Sequence, residues 1–386
     1  MRETIVVAGS LAQRPFHGGH TWVFLQYLLG FRRLGWDVLF VDRLEPEMCV
    51  DDEGNPVAFE SSANVRYTKE VMERFGLSGH WALLYDGGRQ VEGCTRGELV
   101  ERVGRAALLL NVMGFLDDEE ILGAASLRVF LDIDPGFGQM WQELGLAEPF
   151  RDHHRYVTVG ARIGNPECAI PTCGIDWETT MPPVELGEWP AAAAGNGEVF
   201  TSVGSWRGPF GPIEYGGRTY GLRVHEFRRL FELPELTGVP FEVALDIDEA
   251  DGADLRRLNE HGWSLADPRE VAADPWRYRA YIQHSAAELM VAKNLYVDTR
   301  SGWFSDRSAC YLASGKPVLA QDTGLAGLLP TGEGLITFTT RDEAVAGVEA
   351  ICGDFQRHSG AARELAAEYF ATDRVLPRLL ETLGVG

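Results

Sequence analysis

Apolar residues along the chain follow two alternating spacings. Short continuous apolar runs predict buried strands, and these runs cover residues 4–8, 37–41, 81–85, 108–113 and 128–133. Residues 21–34 instead carry apolar side chains three to four positions apart, which predicts a helix. Strands that alternate with helices predict a parallel α/β sheet. The alternation starts again with runs over 199–203 and 241–245, so we expect a second sheet.

The length of the chain also favours two sheets over one. At 386 residues, the chain exceeds the size of one ordinary hydrophobic core. The run AAAAGNG at 191–197 contains small, flexible residues without an apolar period, so it predicts a domain boundary. We therefore expect two domains, residues 1–190 and residues 191–386.

Composition and net charge limit the classes of partner and the cellular location that we expect for this protein. The formal net charge of −22 predicts repulsion from a nucleic-acid backbone and from an anionic membrane, so we expect no nucleic acid among the partners. The six cysteines are scattered without a CxxC pair, which is typical of reduced thiols in the cytoplasm and predicts no metal site. No apolar window is long enough to predict an integral membrane segment.

An NAD-binding domain is the first alternative for the N-terminal half. Asp42, at the end of the second predicted strand, is a residue type that holds the ribose in dinucleotide-binding folds. The first turn lacks GxGxxG, however, and Asp42 lies 33 residues beyond Gly9, where about 20 are expected. These departures disfavour NAD, and no cofactor is predicted.

A candidate site follows a predicted strand at Leu295, Tyr296 and Val297. The chain continues with a loop over 300–305, a helix, and a second strand over 317–320. Ligands of parallel sheets bind at the carboxyl ends of strands, where the next helix begins and attracts phosphate. The loop and the helix start add cationic, hydroxyl and glycine residues, namely Arg300, Ser301, Gly302, Ser305 and Arg307. The sequence therefore predicts an anion site here.

The segment after this loop resembles the donor-binding half of GT-B glycosyltransferases. Residues 314–324 read Ser-Gly-Lys-Pro-Val-Leu-Ala-Gln-Asp-Thr-Gly, and the resemblance covers about the last quarter of the chain. It implies two Rossmann-like parallel-sheet domains facing a cleft. The first would bind a small-molecule or glycan acceptor and the second a nucleotide-sugar donor, with the final helix returning to the first domain.

The resemblance also implies metal-independent sugar transfer and a set of donor-binding residues. These are Arg207, Arg300, Ser301, Gly302, Trp303, Phe304, Ser305, Asp306 and Arg307.

The motifs leave open whether the sugar transfer retains or inverts the anomeric configuration. Many retaining members carry two glutamates separated by seven residues, and Gly302 and Cys310 stand at those positions here. The inverting branch is similar at Gly19-His20 and at residues 32–38, Arg-Arg-Leu-Gly-Trp-Asp-Val. This similarity implies a general base at His20, and the further catalytic candidates are His17 and Asp134.

Two alternatives to sugar transfer remain open. A sugar-nucleotide epimerase or hydrolase on the same fold would act on the donor alone. A non-catalytic nucleotide-sugar-binding protein would explain the missing glutamate pair.

Overall fold

The computed structural model describes residues 3–192, 199–208 and 210–386. Its first sheet has eight strands in the order β4-β3-β2-β1-β5-β6-β7-β8, and all neighbours are parallel except β3 and β4. The strands are β1 (Thr4–Ala8), β2 (Asp37–Leu44), β3 (Trp81–Tyr85), β4 (Gln90–Glu92), β5 (Leu108–Val112), β6 (Arg128–Asp132), β7 (Arg155–Thr158) and β8 (Trp177–Thr179). The helices between them are α1 (Gly18–Arg33), α2 (Ala63–Arg74), α3 (Arg96–Gly104), α4 (Glu119–Ala124) and α5 (Phe137–Glu143).

The second sheet has six parallel strands in the order β13-β12-β9-β14-β15-β16, accompanied by a β10-β11 hairpin. The strands are β9 (Phe200–Ser205), β10 (Ile213–Tyr215), β11 (Arg218–Tyr220), β12 (Phe241–Asp246), β13 (Ser264–Leu265), β14 (Ala287–Met290), β15 (Val318–Gln321) and β16 (Leu335–Phe338). The helices are α6 (Arg223–Phe227), α7 (Leu233–Thr237), α8 (Gly252–Glu260), α9 (Pro268–Val271), α10 (Pro275–His284), α11 (Asn294–Asp298), α12 (Asp306–Ala313), α13 (Arg341–Gly353), α14 (Phe355–Leu365) and α15 (Thr372–Leu383).

Two parallel sheets with helices between their strands confirm the predicted α/β class. The central strands are apolar along their whole length because helices cover both faces, as the fully buried β5 shows. Residues 193–198, which include most of the predicted linker, lie outside the described residues. The division into an acceptor-binding domain (1–190) and a donor-binding domain (191–386) stays a prediction.

The predicted strand at Leu295, Tyr296 and Val297 is wrong, because these residues lie in the short helix α11. The strand of this unit is β14, inside a region (278–292) whose spacing predicts one long helix. The sequence of β14, Ala-Glu-Leu-Met, lacks β-branched residues, but β9 and β15 pair with it on both sides. Sheet pairing and burial therefore outweigh local propensity here.

Helix α1 connects the two sheets. Its first residue, Gly18, donates from its backbone N–H to Ala272 O at 2.7 Å, and Trp22 Nε1 donates to Pro275 O at 2.8 Å. A Cβ on Gly18 would lie 2.2 Å from Asp274 O, so only glycine permits this contact. The last helix, α15, lies against the other end of α1, where a Cβ on Gly30 would meet Leu376. In the described part of the chain, no helix has the length and apolar character needed to cross a membrane.

Candidate functional site

Positive side chains gather at the carboxyl ends of β9 and β14. Gly204 lies near the end of β9 in a positive-φ conformation, and a Cβ there would lie 2.8 Å from Arg223 Nη1 and 3.5 Å from Arg307 Nη1. The absence of a side chain at Gly204 thus lets two guanidinium groups approach the backbone. Arg223 opens α6, Arg307 lies in the first turn of α12, and Lys293 follows β14. We call Arg223, Lys293 and Arg307 the cation cluster.

Arg307 is neutralised inside the protein. Its Nε donates to Glu288 Oε1 on β14 at 2.5 Å, and the Glu288 side chain is fully buried. Burial is the largest single influence and would lower the pKa of Arg307, but Glu288, with smaller contributions from Tyr278 and Asp306, raises that pKa overall. One residue predicted to bind the donor therefore has a strong internal partner.

Arg223 has no such partner. Its Nε is buried and makes no hydrogen bond to any described residue. Burial, followed by the nearby Arg307 cation, lowers the pKa of Arg223 to about 10. Arg223 thus remains charged at neutral pH beside a second cation. A buried, unpaired donor is costly, so this arrangement favours an incoming anion.

Lys293 is held by a residue of the other sheet. Its Nζ donates to both carboxylate oxygens of Asp134, at 2.7 Å and 2.6 Å, and the Tyr296 hydroxyl donates to Asp134 Oδ1. Asp134 lies directly after β6, where its backbone N–H donates to Asp132 Oδ1 at 3.1 Å. The structure thus brings the predicted catalytic candidate Asp134 to the cation cluster.

The remaining loop residues predicted to bind the donor mostly face inward. Ser301, Trp303, Phe304 and Ser305 are buried, Asp306 is half-buried, and Gly302 adopts φ +69° while donating to Thr323 O at 2.7 Å. Trp303 stacks on Tyr296 and forms a β-bridge with Gly160 of the first half. Arg300 is exposed and adopts φ +51°.

A small cavity separates this loop from α1 and the first sheet. Its volume is about 40 Å³, and its lining includes Gln26, Tyr27, Ile133, Trp303 and Asp306. That space admits a few water molecules rather than a sugar. Cys310, at the position of the second family glutamate, is fully buried and accepts from Gln26 Nε2 at 3.5 Å. The two halves are therefore closely apposed at the predicted donor loop.

Arg207 contacts a carboxylate of its own half. Its Nε donates to Asp251 Oδ2 at 2.5 Å, while 48% of its side chain remains exposed. The Asp251 carboxylate is the main cause that raises the pKa of Arg207. Arg207 therefore already has a carboxylate partner, unlike Arg223.

The two predicted histidines lie at the start of α1. His20 Nε2 lies 2.9 Å from Ser10 Oγ and 3.2 Å from Ser10 O. Burial, followed by the charge of Arg14, lowers the pKa of His20 to about 3. This direction weakens a general base, which works best with a pKa near the working pH. His17 is exposed, and its Nδ1 lies 2.9 Å from Pro15 O.

Buried acidic groups lie near the carboxyl ends of two strands of the first sheet, with Asp42 inside β2 and Asp132 at the end of β6. Burial raises the pKa of Asp132 to about 6, although Gln139 Nε2 donates to it at 2.6 Å. Burial likewise raises the pKa of Asp42 to about 7. Among the described residues, no group of three or more His, Cys, Asp or Glu could hold a metal ion.

No site role is predicted from the sequence for four residues of the site, namely Arg223, Glu288, Lys293 and Tyr296. Arg223 opens a helix of five residues without a capping signature, so no motif marks it. Glu288 and Lys293 lie in and after the misassigned strand β14. Had β14 been placed correctly, Lys293 would have stood out as a cation at the carboxyl end of a central strand.

No family model matches the chain, and a search of curated proteins gave no match. Many solved structures are similar to the chain, and three examples match it over nearly its whole length. An alpha-glucosyltransferase in complex with UDP and a 13-mer DNA has a TM-score of 0.60 and 11% identity, with 99% of both chains covered. HepE of Anabaena, in complex with UDP and glucose, has a TM-score of 0.58 and 12% identity, covering 99% of this chain and 100% of that one.

The third is sucrose-phosphate synthase from Thermosynechococcus elongatus, with a TM-score of 0.57, 13% identity and 99% of both chains covered. The chain therefore has the GT-B fold of glycosyltransferases, as the motif resemblance implies.

The expected exclusion of nucleic acid from the partners is wrong. Three of the similar structures are complexes with DNA, so the charge of the chain cannot exclude this partner class for the fold. Net charge is a sum over the whole protein, whereas a partner responds to the local potential of the surface that it contacts.

Proposed function

We propose that this protein is a glycosyltransferase that moves a sugar from a nucleotide-sugar donor to an acceptor hydroxyl. The observation that carries this proposal is the position of Arg223 beside Arg307, near the end of β9. The Arg223 side chain is charged, and its buried Nε has no hydrogen-bond partner among the described residues. The GT-B fold, which is shared with solved structures in complex with UDP, supports the same assignment.

The cation cluster gives the proposal its chemistry. When the bond between sugar and diphosphate breaks, negative charge develops on the leaving diphosphate, and fixed positive groups stabilise it. Arg223 and Lys293 are the proposed phosphate ligands. Arg307 stays paired with Glu288 and contributes only to the positive electrostatic potential around the diphosphate. We propose transfer without a metal, because these side chains can neutralise the leaving group themselves.

The proton acceptor is proposed to come from the first sheet. Of the candidates His20, His17 and Asp134, only Asp134 touches the cation cluster. His20 is a neutral imidazole in contact with Ser10, and its lowered pKa makes it the weaker base. The acceptor-binding role of residues 1–190 and the location in the cytoplasm remain predictions.

The test is incubation with a panel of nucleotide sugars, with and without acceptors. A small hydroxylated compound, an oligosaccharide and a DNA duplex represent three acceptor classes. We expect the donor to be consumed quickly only when one acceptor is present, and EDTA to leave the rate unchanged. Conversion of the donor alone would support the epimerase or hydrolase alternative, and binding without turnover would support a binding protein.

A further inference from the structure

The cation cluster already contains an anion, and that anion comes from the opposite sheet. Asp134 lies after β6 of the first sheet, yet its carboxylate accepts from Lys293 Nζ and from the Tyr296 hydroxyl of the second half. Its negative charge also acts on Arg223, since Asp134 is among the groups that favour the charged form of that guanidinium. The carboxylate therefore faces the side chains proposed to hold the donor diphosphate.

This contact is well shielded. Only 12% of the Lys293 side chain and 21% of the Asp134 side chain are exposed, and the lysine approaches both carboxylate oxygens. Tyr296, which is buried, stacks on Trp303 of the predicted donor loop. A single carboxylate thus connects the first sheet, Lys293 and the aromatic pair beside the loop.

A cavity beside the predicted donor loop is too small for a donor sugar. The cavity between Trp303, Ile133 and Tyr27 has a volume of about 40 Å³. Ile133 is the neighbour of Asp134 in the chain, so movement of the Asp134 turn would change this cavity directly. The turn that carries Asp134 therefore forms part of the wall of this cavity through Ile133.

We propose that the Asp134 carboxylate occupies the place of a donor phosphate, and that Lys293 exchanges Asp134 for the diphosphate when the donor binds. This inference rests on the proposed function. A phosphate group offers Lys293 more oxygen acceptors and more charge than a carboxylate, so the exchange is chemically reasonable. In the free protein, Asp134 competes with the donor and holds the two halves together.

The exchange predicts a specific thermodynamic signature. A ligand that must first displace an internal partner binds with an apparent Kd raised by the inverse of the competent fraction. Removal of the internal carboxylate should therefore tighten binding, although it removes a favourable contact from the free protein. A residue with only a structural role would not tighten ligand binding when it is substituted.

The experiment is calorimetric titration of the full chain with UDP. Asp134→Asn should lower the Kd for UDP by about tenfold, or about 1.4 kcal/mol. Lys293→Met should raise the Kd, because it removes a phosphate ligand. Glu188→Gln is the matched control: Glu188 forms an ion pair with Arg279 of α10 across the halves, makes no hydrogen bond or ion pair with the three described residues of the cation cluster, and should leave the Kd unchanged.

Tyr296→Phe provides a second route if Asp134→Asn does not fold. It removes one donor to the Asp134 carboxylate and should lower the Kd for UDP by about tenfold, since a hydrogen bond to a charged group is worth about 1.5–3 kcal/mol. UDP affinity that is unchanged or weaker in Asp134→Asn and Tyr296→Phe would overturn the exchange alone. Failure of both the wild type and Asp134→Asn to bind UDP would overturn the proposed function itself.

Discussion

The carboxyl edges of the two sheets have the same position in the topology but opposite charge. The edge of the first sheet carries Asp42, Asp132 and Asp134, of which burial raises the pKa of the first two. The edge of the second carries Arg223 and Lys293. Ligands of open α/β sheets bind at such edges, so we propose that charge rather than topology decides which edge binds the phosphate. The second edge suits a diphosphate, and the first suits hydroxyl groups and a proton.

The comparison also shows what a net charge conceals. A total of −22 describes the protein as acidic, yet Arg223 lies in the cation cluster with an Nε that is unpaired among the described residues, while Lys293 and Arg307 are each paired with one carboxylate. A site surrounded by low-dielectric protein focuses its own field, so the local potential can oppose the sign of the whole. Partner classes are therefore better judged from the cluster than from the composition.

The largest expected effect concerns the buried ion pair between Arg307 and Glu288. It tests whether Arg307 stabilises the fold of the second sheet rather than binding phosphate. Glu288→Gln leaves the Arg307 cation buried without its counterion, so we expect the free energy of unfolding to fall by about 3 kcal/mol. Urea denaturation monitored by circular dichroism measures this change. Asp52→Asn, which breaks the exposed pair with Arg66, is the control and should have no measurable effect. If Glu288→Gln changed the free energy of unfolding as little as Asp52→Asn does, Glu288 would not be needed to balance Arg307, and Arg307 would be available as a further phosphate ligand.

The next effect concerns the acid–base groups of the first edge. Asp132 has a folded pKa near 6 and an ordinary value of 3.8, so the folded state binds its proton more tightly. Its contribution to stability is therefore lost as pH rises from about 4 to about 6, at up to about 1.4 kcal/mol per pH unit. His20 behaves in the opposite way, because its pKa is lowered from 6.5 to about 3 and its contribution is lost as pH falls below 6.5.

Two variants separate these slopes. Relative to the wild type, Asp132→Asn should gain stability as pH rises from about 4 to about 6, and His20→Gln should gain stability as pH falls over the same range. Urea unfolding at several pH values checks both. Parallel curves for the wild type and both variants would show that neither group is perturbed by burial.

The smallest expected effect concerns Arg207. The Arg207 guanidinium is paired with Asp251 and half exposed, so Arg207→Ala should raise the Kd for UDP by no more than about threefold, in the range of an exposed ion pair. If Arg207→Ala raised the Kd for UDP as much as Arg223→Met is expected to, Arg207 would have to leave Asp251 and bind the phosphate. Calorimetric titration of UDP into Arg207→Ala and Arg223→Met under the same conditions decides between these outcomes.

The sequence was informative where hydrophobic period and motif agreed. Alternation of buried runs predicts both sheets, and the residues from Gly315 to Gly324 carry the resemblance to the GT-B fold that the similar structures bear out. The misplaced strand shows the limit: Leu295, Tyr296 and Val297 favour a strand locally, but β14 takes the central place through its pairing.

The site was less predictable than the fold. Its geometry depends on contacts between residues far apart in the chain, such as Lys293 with Asp134 and Arg223 with Gly204. A cation can be recognised in a sequence, but its partner cannot: Arg307 and Arg223 are alike until Glu288 is placed beside only one of them. Whether an arginine is available for a ligand is a property of packing.

The central claim is that the diphosphate binds at the edge of the second sheet through Arg223. The most direct measurement is calorimetric titration of UDP into the wild type and into Arg223→Met, with Met at the exposed Arg218 of β11 as the control. We expect Arg223→Met to raise the Kd at least about thirtyfold, or about 2 kcal/mol, and Arg218→Met to leave it unchanged. Equal UDP affinity in the wild type and Arg223→Met would contradict the account.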